Sequence, residues 1–271
     1  NNIPDEFKYV EVCSPGELTI CEKSSVELSK IIYSGVNKGE VDICRALCDN
    51  VGIFTAESPH QLELINSNAG NYEKRVDVIL RLTNGSQFGM DEQELLRIIK
   101  ERSSYANVNI IGLHFFTGTQ KKKANLIVKE LEDLDNFIQR LVQDYQFHPM
   151  HIEYGPGLAV EYFNEPNDEK DINLLMEAAP SLKNFAEKYN LTIEMGRFFA
   201  ATCGTYLTKV VDAKVNCGIN YAICDGGMNQ LKYYGQTMAM QVPPITLLSS
   251  EDREKSHWSV CGSLCMYLCA R

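Results

Sequence analysis

The chain has 271 residues, of which 44% are hydrophobic and 23% are charged, enough for one large globular domain or two smaller ones. A formal net charge of −10, with its one basic run at Lys121 to Lys123, offers no broad positive face, so we expect no nucleic-acid partner. The sequence shows neither an apolar stretch of about 20 residues nor a secretion-signal pattern, which favours a cytoplasmic protein without a membrane partner.

Short apolar runs of strand length alternate with longer helical patterns through the first two thirds of the chain. This alternation predicts parallel β-strands joined by helical crossovers, an α/β fold. The strand-like runs are Tyr9 to Ser14, Lys30 to Gly35, Gly52 to Ser58, Val76 to Leu82, Asn109 to Gly118, His151 to Gly157 and Leu191 to Arg197.

Helix starts follow several of these runs. Ser14-Pro-Gly-Glu17 and Ser58-Pro-His-Gln61 each combine an N-cap serine, a proline at the first helical position and a Glu or Gln at the third, which predicts two capping boxes. Asp91 is predicted to cap a further helix. Apolar residues at three-to-four spacing between Ile127 and Tyr145 predict one long amphipathic helix.

Seven strand-helix units are one short of a closed (β/α)8 barrel of the TIM type. After Arg197 the pattern changes, because Thr205 to Val215 and Asn220 to Gly227 are β-branched runs joined by a short turn, as in antiparallel pairing. We therefore expect a barrel over residues 1–203 whose first strand lies before Asn1. A separate β domain, sandwich-like or barrel-like, is expected over residues 204–271.

The cysteines and histidines do not form the pattern of a metal site. The ten cysteines are scattered, which favours reduced thiols over a disulfide scaffold, and Cys261, Cys265 and Cys269 lack the close pairs of a structural zinc site. His148 and His151 are separated by Pro149, so we expect a loop histidine and a strand-start histidine. No metal site is predicted.

Unusual residues occur where the predicted strands end, which is where barrel enzymes carry their chemistry. Glycine lets backbone amides approach an anion, although it is also common in turns for steric reasons. The residues that would form a phosphate cradle are Gly118, Gly155, Gly157 and Gly196 with Arg197.

Several segments, in this order, resemble the motifs of fold-type III pyridoxal-phosphate (PLP) dependent decarboxylases, the ornithine, diaminopimelate and arginine decarboxylase type. The resemblance covers most of the chain, and an ordered series of motifs is more specific than any one of them. The segments are Ser14-Pro-Gly-Glu-Leu18, Leu113-His-Phe-Phe-Thr-Gly-Thr-Gln120, His151-Ile-Glu-Tyr-Gly-Pro-Gly157, Glu194-Met-Gly-Arg197, Asp225-Gly-Gly227 and Cys261-Gly-Ser-Leu-Cys265.

The resemblance implies a role for each matching residue. Glu194 would face the pyridine nitrogen of PLP, where a carboxylate keeps that nitrogen protonated. Cys265 would donate a proton in the active site of the partner subunit, which implies a homodimer with shared sites. The remaining implied roles are phosphate binding by Arg197, Gly196, Gly155, Gly157 and Thr119, ring stacking by Phe116, cofactor contacts by Arg81, Glu11, Glu17 and Tyr234, and substrate binding by Asp225.

Two plainer interpretations stay open. Glu194 and Arg197 could form a structural ion pair, and Cys265 could be a core cysteine. The sequence also departs from the family pattern: Phe116 replaces the histidine that stacks on the ring, so it can stack but cannot carry a proton. That replacement, with Thr117-Gly-Thr-Gln120 and Tyr233-Tyr-Gly-Gln236, is similar to the branch that includes glutamyl-carrier-protein decarboxylases.

The lysine that binds the cofactor as a Schiff base is expected on the first barrel strand, upstream of Asn1. Lys30 begins its strand, at the wrong end of the barrel. Lys38 follows a strand in a helix-start context that suits a solvated charge. The resemblance therefore implies that the essential lysine is outside the 271 residues.

The function implied is PLP-dependent decarboxylation of an α-amino acid, either a free small molecule such as diaminopimelate or ornithine, or an amino-acyl group on a carrier. A first alternative is a non-catalytic homologue that acts as a binding or regulatory protein. A second is a PLP-dependent amino-acid racemase of related barrel type. The retained Glu194 and Arg197 favour the decarboxylase over the binding protein.

Overall fold

The computed structural model describes residues 4, 6–163, 169–201, 203–233, 242–248, 256–264 and 269–270. Contacts group the chain into two compact units. The first contains Asn1–Ala159 and Asp171–Met195, and the second contains Val160–Lys170 and Gly196–Arg271. The domain boundary at 203/204 stays a prediction.

The first unit is built on a parallel sheet of seven strands that follow one another in chain order. This confirms the α/β class and the seven predicted strands. The strands are β1 (Val10–Val12), β2 (Ile31–Tyr33), β3 (Ile53–Ala56), β4 (Val76–Leu82), β5 (Val108–Phe116), β6 (His151–Gly155) and β7 (Leu191–Ile193). The helices of this unit are α1 (Pro15–Lys23), α2 (Glu40–Cys48), α3 (Pro59–Asn71), α4 (Glu92–Lys100), α5 (Ala124–Tyr145) and α6 (Lys170–Lys188), and α7 (Gly196–Ala200) belongs to the second unit.

The sheet is strongly curled. The ring centroids of Tyr9, just before β1, and His151 in β6 are 5.4 Å apart, although five strand spacings separate the two strands in the sheet order. A flat sheet would hold such residues about 24 Å apart. Curling therefore brings the inward-facing side chains of distant strands together, but the described strands do not close a barrel.

An apolar layer fills the inside of the curl. It consists of one isoleucine from each of four neighbouring strands, with Tyr9 packed against them. Isoleucine suits this position because its branched side chain packs well on a pleated surface. The four residues are Ile32, Ile53, Ile79 and Ile111.

The predicted helix caps form, with one difference in detail. Ser14 Oγ accepts from Glu17 N at 3.2 Å, and Ser58 Oγ accepts from Gln61 N at 3.1 Å. The reciprocal bonds do not go to the serine amides as in a capping box. Glu17 accepts instead from Cys13 N at 2.6 Å, the residue before Ser14. Gln61 likewise accepts from Glu57 N at 3.0 Å, the residue before Ser58. The third-position side chains thus fix the strand end as well as the helix start.

The other predicted helices also form as expected. Asp91 Oδ1 accepts from Glu94 N at 2.9 Å and so caps α4. Helix α5 buries the predicted apolar face from Ile127 to Leu141. None of the helices in the described ranges is both long enough and apolar enough to span a membrane.

The second unit contains the predicted antiparallel hairpin. Strands β8 (Val210–Asn216) and β9 (Ile219–Cys224) pair antiparallel, and the turn residues Cys217 and Gly218 have φ of +53° and +78°. Two successive left-handed residues give a turn whose twist matches the strands it joins. Strand β10 (Ser259–Cys261) pairs parallel to β9, and β11 (Cys269–Ala270) pairs antiparallel to β10.

The expectation of reduced thiols is wrong at one position. Cys261, at the end of β10, is disulfide-bonded. The free cysteines in the described part of the chain are Cys13, Cys21, Cys44, Cys48, Cys203, Cys217 and Cys224.

Candidate active site

A polar layer lies directly beyond the apolar layer, at the carboxyl ends of the strands. Side chains on a strand alternate between faces, so the residue two positions after Tyr9, Ile32, Ile53 or Ile79 also points inward, whereas on β5 a register shift makes the inward polar residue the third after Ile111. Here every strand supplies a polar group. The layer consists of Glu11, Ser34, Thr55, Arg81, His114, Glu153 and Glu194.

His114 and Glu194 form the charged centre of this layer. His114 Nε2 and Glu194 Oε1 are 2.8 Å apart, and the His114 side chain is 1% exposed. Burial lowers the pKa of His114, but the nearby carboxylates, Glu194 first, outweigh burial and raise that pKa to about 9. Burial likewise raises the pKa of Glu194, but His114 outweighs it and the net pKa is lowered. At neutral pH the pair is therefore an imidazolium and a carboxylate.

Two further carboxyl groups face this pair and are held towards the neutral form. Burial, followed by repulsion from Glu194, raises the pKa of Glu11 to about 7, and Glu11 hydrogen-bonds Glu194. Burial also raises the pKa of Glu153 well above its ordinary value. The ligand atoms of Glu11, His114 and Glu194 all lie within 4.8 Å of one another. Glu194 keeps its charge because His114 pairs with it, and the raised pKa values of Glu11 and Glu153 shift these two groups towards the protonated form.

Arg81 lies beside this cluster on β4. Its Nη1 is 3.2 Å from Glu57 Oε1, and both side chains are almost fully buried. The same Glu57 oxygen accepts from Gly35 N at 2.9 Å, so the ion pair also fixes the end of β2. The buried Nε of Arg81 has no hydrogen-bond partner among the described residues.

The prediction of a solvated Lys38 is wrong. Lys38 is 4% exposed, and its Nζ donates to Gly35 O at 2.6 Å. Burial lowers its pKa to about 8, partly countered by Glu57. Lys38 can be buried because acidic groups at the strand ends compensate its positive charge. The local helix-start pattern does not reveal these groups.

The glycine-rich ends of β5 and β6 pack directly against each other. A Cβ on Gly157, whose φ is +59°, would lie 1.8 Å from Gly118 O, and a Cβ on Gly155 would lie 2.4 Å from Phe116 Cδ2. Only glycine permits this approach. The structure thus brings together the predicted stacking ring and much of the predicted phosphate cradle, with Thr119 exposed beside Gly118.

Other predicted site residues have local partners. Glu17 binds Cys13 N, as described above. In the second unit Gly196 begins α7, and Arg197 Nη1 donates to Tyr162 Oη at 3.0 Å. Asp225 Oδ1 accepts from Thr208 Oγ1 at 2.8 Å and from Lys209 N at 3.0 Å. Tyr234 and Cys265 lie outside the described residues.

Sequence reasoning assigned no role to His114, Glu153, Glu57 or Lys38. His114 and Glu153 could have been found by counting back two residues from Phe116 and Gly155, because alternation puts each pair on one face. Glu57 directly precedes a predicted N-cap serine. Lys38 offered no such signal.

The residues present fit PLP, an aromatic ring with a basic nitrogen at one side and a phosphate at the other. Glu194 offers an ionised carboxylate suited to a protonated ring nitrogen. Arg81 offers a buried Nε without a partner among the described residues. The left-handed Gly157 beside Gly118 offers main-chain atoms without side-chain obstruction, as anion sites in proteins do.

Comparisons with known proteins agree with this chemistry. Residues 8–201 match the family described as "Pyridoxal-dependent decarboxylase, pyridoxal binding domain". Diaminopimelate decarboxylase of Haemophilus influenzae is 29% identical over 94% of this chain and 64% of its own length. The L-glutamyl-[BtrI acyl-carrier protein] decarboxylase of Niallia circulans is 27% identical over 94% of this chain and 65% of its own length.

A solved structure shows the same fold. Diaminopimelate decarboxylase from M. jannaschii, crystallised with L-lysine, gives a TM-score of 0.81 at 24% identity and covers 96% of this chain and 64% of that one. The chain thus spans slightly less than two thirds of the length of the relatives it matches.

Proposed function

Since the chain belongs to the pyridoxal-dependent decarboxylase family, we propose that the full-length protein catalyses PLP-dependent decarboxylation of an α-amino acid. The observation that carries the proposal is the pairing of His114 Nε2 with Glu194 Oε1 at 2.8 Å, which lowers the pKa of Glu194 while burial raises the pKa values of Glu11 and Glu153. When bound, PLP supplies an aromatic ring that accepts the electrons released as carbon dioxide leaves. The protein's task is to keep the ring nitrogen protonated, and a fixed negative charge does this.

The other residues divide the remaining tasks. Gly155, Gly157 and Thr119 would bind the phosphate, with Gly196 and Arg197 as further ligands. Phe116 would stack on the ring through its apolar face. The contacts proposed with the rest of the cofactor are those of Arg81, Glu11, Glu17 and Tyr234, Asp225 would contact the substrate, and Cys265 would return a proton to the substrate carbon.

We also propose how the full-length protein completes this site. The edges β1 and β7 of the curled sheet would pair with one more strand, closing a (β/α)8 barrel over the region up to residue 203. That strand would carry the lysine that binds PLP covalently. A β domain over residues 204–271 and beyond would complete a homodimer in which Cys265 reaches the partner's site.

The substrate class follows from the relatives. Those compared above are named for diaminopimelate and for a glutamyl group on an acyl-carrier protein. We therefore propose a free or carrier-bound amino acid, with diaminopimelate and ornithine as the free candidates.

The experiment uses the full-length protein purified with PLP. We expect a visible absorption band that borohydride removes, and release of labelled carbon dioxide from at least one of diaminopimelate, ornithine or a carrier-bound glutamyl group. Glu194→Gln should retain PLP but slow release at least about 100-fold, the scale of removing one electrostatic group from a catalytic centre.

Glu153→Gln is the matched control, because an amide mimics the neutral acid that burial already imposes at position 153. Its rate should stay within a few-fold of the wild type. Equal losses in the two variants would refute the charge assignment. A protein that binds PLP but releases no carbon dioxide would favour the regulatory homologue, and one that inverts its amino acid would favour the racemase.

A further inference from the structure

Glu130 of α5 receives three side-chain donors from the ends of β5 and β6. Its Oε2 accepts from Lys121 Nζ at 2.7 Å and from Tyr154 Oη at 2.6 Å, and its Oε1 accepts from Thr117 Oγ1. The side chains of Lys121 and Glu130 are only 10% and 16% exposed. Charge-assisted bonds of this kind, shielded from solvent, are stronger than those between exposed groups.

The three donors occupy particular places in the chain. Thr117 directly precedes Gly118, Lys121 follows Thr119 by two residues, and Tyr154 directly precedes Gly155. The donors therefore flank both of the loops to which phosphate binding has been assigned. Since Tyr154 belongs to β6 and the other two donors follow β5, one carboxylate holds the two loops in register.

Backbone bonds join the same two loops. Lys121 N donates to Gly157 O at 2.9 Å, and Ala159 N donates to Lys121 O at 3.0 Å. Burial and the bond to Glu130 raise the pKa of Tyr154, so its hydroxyl remains a donor across the physiological range. Gly157 itself is held against Gly118 O by this pairing.

We propose that Glu130 is a positioning residue that holds the Gly118-Thr119 and Gly155-Pro-Gly157 loops together and thereby sets the affinity of the site for the phosphate group of its cofactor. The inference rests on the proposed function. Glu130 acts through Thr117, Lys121 and Tyr154, on the helix side of the sheet, and leaves the Glu194 end of the site unchanged. Its loss should therefore weaken recognition of phosphate more than recognition of the ring.

The test compares PLP with pyridoxal, which has the same ring but no phosphate, in titrations of the full-length apo-protein. Glu130→Gln keeps the size of the side chain and removes its charge. We expect its affinity for PLP to fall about tenfold, the scale of one charged hydrogen bond. Its affinity for pyridoxal should change less than about twofold, and inorganic phosphate should compete less effectively for the site.

Two further variants make the result specific. Glu132→Gln, at an exposed position on the same helix, should behave as the wild type in every titration. Tyr154→Phe removes one donor and retains the packing, so it should shift the ratio of PLP to pyridoxal affinity in the same direction as Glu130→Gln, by about threefold.

The outcomes separate the inference from the function beneath it. If Glu130→Gln and Tyr154→Phe lower the affinities for PLP and pyridoxal equally, Glu130 supports the fold in general and the inference is overturned. If the wild type prefers PLP to pyridoxal and both variants keep the full preference, the inference alone fails. If the wild type takes up no PLP at all, the proposed function fails with it.

Discussion

The polar layer around Glu194 and the glycine loops around Gly157 lie at the same edge of one curled sheet, yet different forces hold them. Around Glu194, acidic side chains compete for a single buried histidine, and proton uptake by Glu11 relieves the competition. Around Gly157, the geometry is fixed by the close approach of two backbone segments and by the side chains that donate hydrogen bonds to Glu130. The first region should therefore respond to pH, and the second to changes of shape.

The largest effect should come from Gly157→Ala. The new methyl would meet Gly118 O at 1.8 Å on a backbone with φ of +59°, so we expect a loss of about 3 kcal/mol in the free energy of unfolding. Urea denaturation of the full-length protein measures it. PLP affinity should fall as well, because the loops must separate to accept the methyl group.

Gly85→Ala is the control for this substitution. Gly85 also has a left-handed φ, +89°, but a Cβ there would have no atom within 4 Å. Only the backbone cost, about 1 kcal/mol, should appear, and PLP affinity should stay unchanged. Similar losses of stability in the two variants would show that the loops around Gly157 accommodate a side chain, contrary to a shape-determined cradle.

A smaller effect should appear when pH is changed, and it should depend on the polar layer. The folded-state pKa of His114, about 9, exceeds the ordinary value of 6.5, so its contribution to stability is fully present below 6.5 and is lost as pH rises through 9. Glu11, raised from 4.5 to about 7, adds a loss between those values. The free energy of unfolding should fall from pH 5 to pH 8, by at most about 1.4 kcal/mol per pH unit for each group, whereas above pH 8 the lowered pKa of Lys38 acts in the opposite sense.

His114→Asn isolates the upper part of that profile. With no imidazole to release a proton, the decline between pH 6.5 and 8 should flatten, whereas the decline due to Glu11 at lower pH should remain. Denaturant unfolding across the pH range, with Gly85→Ala as a reference whose curve keeps the wild-type shape, measures the difference. A wild-type stability that rises with pH between 6.5 and 8 would contradict the ion pair.

These two regions also show how far the sequence could predict the structure. The strands, the N-caps at Ser14 and Ser58 and the hairpin turn at Gly218 depend on residues close together in the chain, and the structure confirms them. The glycine loops were recognisable because glycine is required wherever backbone approaches backbone.

The polar layer depends on contacts that no local pattern contains. Glu11 and Glu194 meet only because the sheet curls enough to bring its first and last strands together. The pairing of β4 with β5 also shifts register between Val78 and Ile79. The shift interrupts the alternation of side chains along β5, so counting from the start of that strand does not put His114 on the inner face. Lys38 was misjudged for the same reason, since the charges that compensate its burial come from other strands.

The smallest predicted effect tests whether neutral hydroxyl groups tune the acidic cluster. Ser34 Oγ lies 2.8 Å from Thr55 Oγ1 and also hydrogen-bonds Glu11, where it lowers the pKa that burial raises. Ser34→Ala should therefore move the pKa of Glu11 above about 7 and destabilise the fold by about 1 kcal/mol, the net value of one buried hydrogen bond. The midpoint of the Glu11 part of the pH-stability profile reports the first change.

Thr55→Ser is the matched variant, because it keeps the hydroxyl that faces Ser34 and removes only a methyl group. The Glu11 midpoint should stay at its wild-type position in Thr55→Ser and rise only in Ser34→Ala. A fall of that midpoint in Ser34→Ala would mean that the serine hydroxyl stabilises the protonated acid. In that case Ser34 would help Glu194 to keep its charge. Without the serine hydroxyl, Glu11 would ionise more readily and would repel the carboxylate that His114 holds.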